Sequence, residues 1–95
     1  MLFHITHTHE PPQCLFGDVP ALTATFGAVD AAMERAGATV IGSWVNAAAH
    51  TFYWIVDADS AGALTRGLAP VVQRGHSEIR PIADLAETIA MLSQT

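Results

Sequence analysis

No lysine occurs in the 95 residues, and the basic side chains are four arginines, Arg35, Arg66, Arg74 and Arg80. Set against nine acidic residues, they leave a net charge of −5. Tracking a phosphate backbone takes a cluster of cations. Nucleic acid is therefore excluded as a partner, and an anionic membrane surface for the same reason. The single cysteine, Cys14, excludes an intramolecular disulfide and fits a reducing cytoplasm. No apolar run reaches the roughly 20 residues of a membrane span. The first residues carry no positive leader, so we expect no signal peptide. A Gly-rich phosphate loop is missing, and neither Ser60 nor Ser77 sits in a nucleophile signature. Kinase, nucleotide-binding and serine-hydrolase readings fall with them.

What the chain has in plenty is apolar surface. Hydrophobic residues make up 51% and charged ones only 14%. A domain this small exposes much of its surface, so such a composition predicts a second subunit as cover. The length allows one domain, residues 1–95.

Residues 2–9 (LFHITHTH) are rich in β-branched and aromatic types and predict a first strand, ended by Glu10-Pro11-Pro12. Asp18 is a good N-cap. Leu22, Phe26, Val29 and Met33 then recur at helical spacing up to Gly37. Strands follow at 39–45 (TVIGSWV) and 51–57 (TFYWIVD), close enough to form a hairpin. Asp59 or Ser60 caps a second helix carrying Leu64, Leu68 and Val71 or Val72. Pro70 should break or kink it, and Gly75 ends it. A short strand, 76–81, and a terminal helix with Ile82, Leu85, Ile89 and Leu92 on one side complete the order. There is no internal repeat or low-complexity segment.

The order β-α-β-β-α-β plus a helix is the ferredoxin-like plan, an α+β fold with a four-stranded antiparallel sheet of order 4-1-3-2. In strand three, Phe52, Trp54 and Val56 oppose Tyr53 and Ile55, so both faces are apolar. In strand two, Ile41 and Val45 oppose Val40 and Trp44. Two helices cover one face. A second copy is the economical cover for the other, and a homodimer is expected.

The opening MLFHI at residues 1–5, with this element order and the apolar second face, resembles the dimeric α/β-barrel superfamily. Muconolactone isomerases begin in a similar way, and small antibiotic-biosynthesis monooxygenases share the fold. SWVN at 43–46 and TFYWIVDADS at 51–60 are similar to small uncharacterised bacterial members. The resemblance implies a homodimer with room for a small-molecule ligand in the barrel. It carries over no catalytic residue, because the chain departs from the isomerases after Ile5.

The departure is His7, His9 and Cys14. His7 and His9 stand two apart on a strand, so they share a face with Cα atoms roughly 7 Å apart. Two imidazoles so placed can lean onto one metal ion at about 2 Å per bond. His4 has the other parity. Strand directions then bring His50, His76, Glu10, Glu78 and Cys14 to the end of the sheet that holds His7 and His9. The expected donor set is His7, His9, His50, His76, Glu78 and Cys14. Imidazole and carboxylate suit zinc, nickel, copper or iron, and a thiolate favours softer ions; the pattern does not choose among them.

Three functions fit this reading. The first is a transition-metal-binding protein, with or without catalysis. The second is a metal-free isomerase or cofactor-independent monooxygenase using His4 or His50 as general base, with Thr6, Tyr53 and Trp54 orienting a substrate. The third is a dimeric module without chemistry, whose histidine-rich end responds to pH.

Overall fold

The structure is a computed structural model and describes residues 1–94. Its four strands are β1 (Leu2–Thr8), β2 (Thr39–Asn46), β3 (Thr51–Asp57) and β4 (His76–Ile82). They form one antiparallel sheet of order β2-β3-β1-β4, which is 4-1-3-2 read from the opposite edge.

Strand alternation decides which face is covered. Phe3, Ile5 and His7 of β1 and Phe52, Trp54 and Val56 of β3 are buried under the helices. His4, Thr6, Tyr53 and Ile55 share the other, half-open face. Phe3, Ile5, Trp54 and Val56 join Val29, Met33, Leu64 and Val71 from the helical layer in a single core.

The first helical stretch is not continuous. It divides into α1 (Val19–Thr25), a 3-10 turn over Phe26–Ala28, and α2 (Val29–Arg35). The apolar positions keep helical spacing, but the local residues oppose a straight run. Thr23 and Thr25 turn their hydroxyls back onto the carbonyls of Val19 and Ala21 at 2.9 and 2.7 Å. Gly27 follows at once, and both features weaken a helix interior. Asp18 caps α1 as expected, its Oδ1 accepting from the Ala21 N–H at 3.1 Å.

Ser60 caps α3 (Ala61–Gly67), which stops before Pro70; a 3-10 turn, Ala69–Val71, takes over. The ring of Pro70 has no N–H to give a continuing helix. Asp84 caps the terminal helix, α4 (Leu85–Leu92). Leu85, Ile89 and Met91 on α4 are exposed, and the molecule is elongated at 52 × 28 × 17 Å.

One strand differs in register from its expected alternation. Val40 pairs with Val56 and Gly42 with Ile55, so Ile41 is an extra residue in a β-bulge. An extra residue inverts every side chain beyond it. Val40 and Trp44 therefore do not share a face: Val40 points to the helices, while Trp44 joins Tyr53 on the open side. Ser43 and Val45 turn to the helical side instead.

Candidate metal centre

β1 ends at Thr8, yet its ladder runs one bond further, with the His9 N–H donating to the His50 carbonyl at 3.1 Å. This bond fixes residue 9 beside the turn that starts β3. In that turn Ala47–Ala49 form a 3-10 bend, and the Asn46 side chain accepts from the Ala49 N–H at 3.3 Å. His50 then takes a left-handed conformation, φ 51° and ψ 42°. A side chain with a Cβ adopts that region at a cost. Cys14 arrives from the other side, on the loop that leaves the Pro11–Gln13 turn.

These three segments place one donor atom each from His9, Cys14 and His50 within 4.8 Å of one another. A tetrahedral ion with bonds of about 2.1 Å to nitrogen and about 2.3 Å to sulfur needs donors roughly 3.5 Å apart. Modest ring and thiol rotations close that difference. The donors are also poor in other partners: both ring nitrogens of His9 and Nδ1 of His50 are buried without a hydrogen bond. Buried polar atoms are nearly always paired. His9 is 4% exposed, and burial, then the neighbouring His50, lowers its pKa below 6.5. Its imidazole is neutral near pH 7, the form that ligates a metal.

Aromatic rings wall the group. His9 lies 5.9 Å from Phe26 and 6.0 Å from Phe52, and the latter two stack on each other at 4.0 Å, ring centroid to ring centroid. A dry surround of this kind strengthens whatever charge interaction occurs inside it.

The other expected donors are placed differently. His7 shares the face of His9 and is fully buried; its Nδ1 is engaged with the Ser77 hydroxyl at 2.8 Å, while its Nε2 is buried without a partner. It lies outside the group of three. Burial is the largest cause of its lowered pKa, followed by His9; the Arg74 backbone opposes the shift, and His76 adds to it. His76 and Glu78 pair with Thr8 and Thr6, which puts them on the opposite face from His7 and His9. Glu78 is bound there to Arg80. Glu10 is exposed, and His4 stands on the open face, its ring 6.2 Å from Tyr53.

Two positions support the histidines in ways the sequence did not signal. Ser77 reaches His7 only because the β1–β4 register sets them opposite one another. Gly75 lets the backbone pass close to the histidines. A Cβ there would meet the Thr8 carbonyl and lie 2.8 Å from His7 Nε2.

The family model described as a domain of unknown function, DUF3303, matches residues 1–95. No curated protein matches the chain. Among solved structures it is similar to the crystal structure of SCO4226 from Streptomyces coelicolor A3(2). The TM-score is 0.59 at 19% identity, over 88% of this chain and 100% of that one. That likeness bears on the fold. Among the described residues, no helix is long and apolar enough to cross a membrane.

Proposed function

Because the chain belongs to the DUF3303 family, whose description assigns no activity, we propose its function from the site itself: it is a small transition-metal-binding protein with His9, Cys14 and His50 as ligands. The observation that carries the reading is the meeting of three donors in which three buried nitrogens have no other partner. A metal ion takes one nitrogen from each imidazole and so relieves part of the cost of leaving them bare.

Two imidazoles and a thiolate suit zinc and copper, and also nickel or iron. Three protein ligands leave a position open for water or a substrate. Elemental analysis of untagged protein purified without chelators tests the proposal. One ion per chain is expected, lost in His9→Ala and His50→Ala. Cobalt-loaded protein should show thiolate-to-metal absorption that disappears in Cys14→Ser. No stoichiometric metal after supplementation would sink the reading.

We further propose that the protein works as a homodimer in the cytoplasm. The open sheet face carries Trp44, Tyr53 and Ile55, and α4 exposes Leu85 and Ile89. A second copy buries such surface in the most economical way.

The second reading is a metal-free enzyme of the muconolactone isomerase or antibiotic-biosynthesis monooxygenase kind. The position of His4 beside Tyr53 on the open face favours it, since an imidazole there can act as base to a ligand held between two sheets. Activity that survives chelation but not His4→Ala would support it over the first.

A further inference from the structure

A second site lies on the helical side of the sheet, between α1, α2 and the edge strand β2. It is an open cleft of about 380 Å³. That volume is at the lower end of the roughly 300–1,000 Å³ typical of small-molecule sites. None of the three metal donors lines it, although Phe26 and Phe52 wall both sites.

The walls of the cleft define its chemistry. Phe16, Phe26, Phe52 and Trp54 all line it. Their rings are nearly parallel and stacked: Phe16 and Phe26 lie within 4° and 6° of Phe52, and Trp54 within 13°. Phe26, Phe52 and Trp54 are buried and Phe16 is the exposed ring of the set; a further planar ring can extend it by offset stacking, which gains more than area burial alone. The cleft also holds a polar point. The Ser43 hydroxyl donates to Asp30 Oδ1 at 2.8 Å, and both residues line the cleft. Asp30 is the single ionisable side chain among the lining residues. Its carboxylate accepts hydrogen bonds, attracts cations and repels anions.

We infer that this cleft binds a one- or two-ring aromatic compound, neutral or cationic, that donates an O–H or N–H to Asp30 while its ring stacks against the exposed Phe16. The bulge at Ile41 is what builds the site, since it turns Ser43 and Val45 to the helical side. Trp44 lines the cleft although its side chain belongs to the open face, so a second copy docked there would meet the rim of the cleft at this residue.

1-Naphthol, 1-aminonaphthalene and 1-naphthoate test the inference on the whole protein, with chelator present, by calorimetry and by the fluorescence of Trp44 and Trp54. The naphthol and the amine should bind one per chain, at least tenfold more tightly than the carboxylate. Asp30→Asn should close that gap. Val45→Arg, at a half-exposed edge position lining the cleft, should abolish binding while the circular dichroism spectrum is kept. Absence of saturable binding of the naphthol would overturn the inference, as would equal affinity for the carboxylate. Unchanged affinity in Asp30→Asn and Val45→Arg would overturn it too, since the probe would then sit elsewhere. Because the chelated protein is used, these failures are distinct from a failure to find metal.

Discussion

The imidazoles of His9 and His50 meet edge to face with ring centroids 5.2 Å apart, directly across the backbone bond that ties residue 9 to residue 50. Both residues lie just outside the strands, and the last rung of the ladder fixes them, while Cys14 comes from the loop after the Pro11–Gln13 turn. A site assembled this way costs little ordering when it binds.

Stability and metal affinity should move in opposite directions at position 9. His9→Leu removes two buried nitrogens that have no partner and replaces them with apolar atoms. We expect metal affinity to fall by about 100-fold or more, since a direct ligand outweighs the tenfold to hundredfold effect of an outer partner. The metal-free variant should be at least as stable as the parent, because an unsatisfied buried polar group costs about 1–3 kcal/mol. Denaturant midpoints and metal titrations of the same samples check both halves.

The backbone and the side chain of His50 can be separated. Asn tolerates the left-handed region better than most residues. His50→Asn should therefore fold like the parent, with unfolding midpoints close to it, yet bind metal no better than His50→Ala. A His50→Asn protein that retained full affinity would remove this residue from the centre.

Acid should weaken the metal-free protein. His7 and His9 both have folded pKa values below 6.5, chiefly through burial. Below about 6.5 the unfolded chain binds protons that the folded chain refuses, so lowering the pH favours unfolding. The loss begins as the pH falls through the unfolded value and is complete below the folded ones. Urea midpoints at pH 7.5 and 5.0 should differ in that sense, and the difference should shrink in a His7→Phe, His9→Leu double variant.

Gly67 and Met33 should be energetically coupled. A Cβ on Gly67 of α3 would run into the Met33 thioether, with Cγ at 2.7 Å and Cε at 2.8 Å. Helix propensity favours Ala over Gly by about 1 kcal/mol, but overpacking costs about 1–3 kcal/mol. Gly67→Ala should destabilise the protein, and the same change should be neutral or stabilising in a Met33→Ala background. A double-mutant cycle measures the coupling.

A single charge on the open face should decide oligomeric state. Ile55→Lys places an ammonium in the middle of the surface proposed to meet a second copy. Sedimentation should show a dimer for the parent and a monomer for the variant. Equal masses for both would remove the open face from the interface.

Much of the fold was legible because strand alternation and caps are local signals. Residues 51–57 show both apolar faces of β3, and Asp18 and Ser60 mark helix starts that the structure keeps. The bulge was not legible, since one extra residue at Ile41 has no composition of its own. The break after Thr25 was hidden because its apolar spacing stays helical. At the site, strand direction brought His9 and His50 together, as the structure does. It could not separate them from His76 and Glu78, because the face of β4 depends on a register that only the pairing of Ser77 with His7 settles.

The three donors sit far apart along the chain, residues 9 and 14 near its beginning and residue 50 past its middle. An ion bound to all of them would work as a buckle. It would shut the loop between β1 and α1 against the β2–β3 turn and pin the first strand to the third. Closing so long a segment with one ligand set restricts the unfolded chain more than the folded one. The amide hydrogens of Glu10 and of Gln13 to Gly17 should then exchange slowly with metal and quickly without it, which makes that loop a gauge of occupancy.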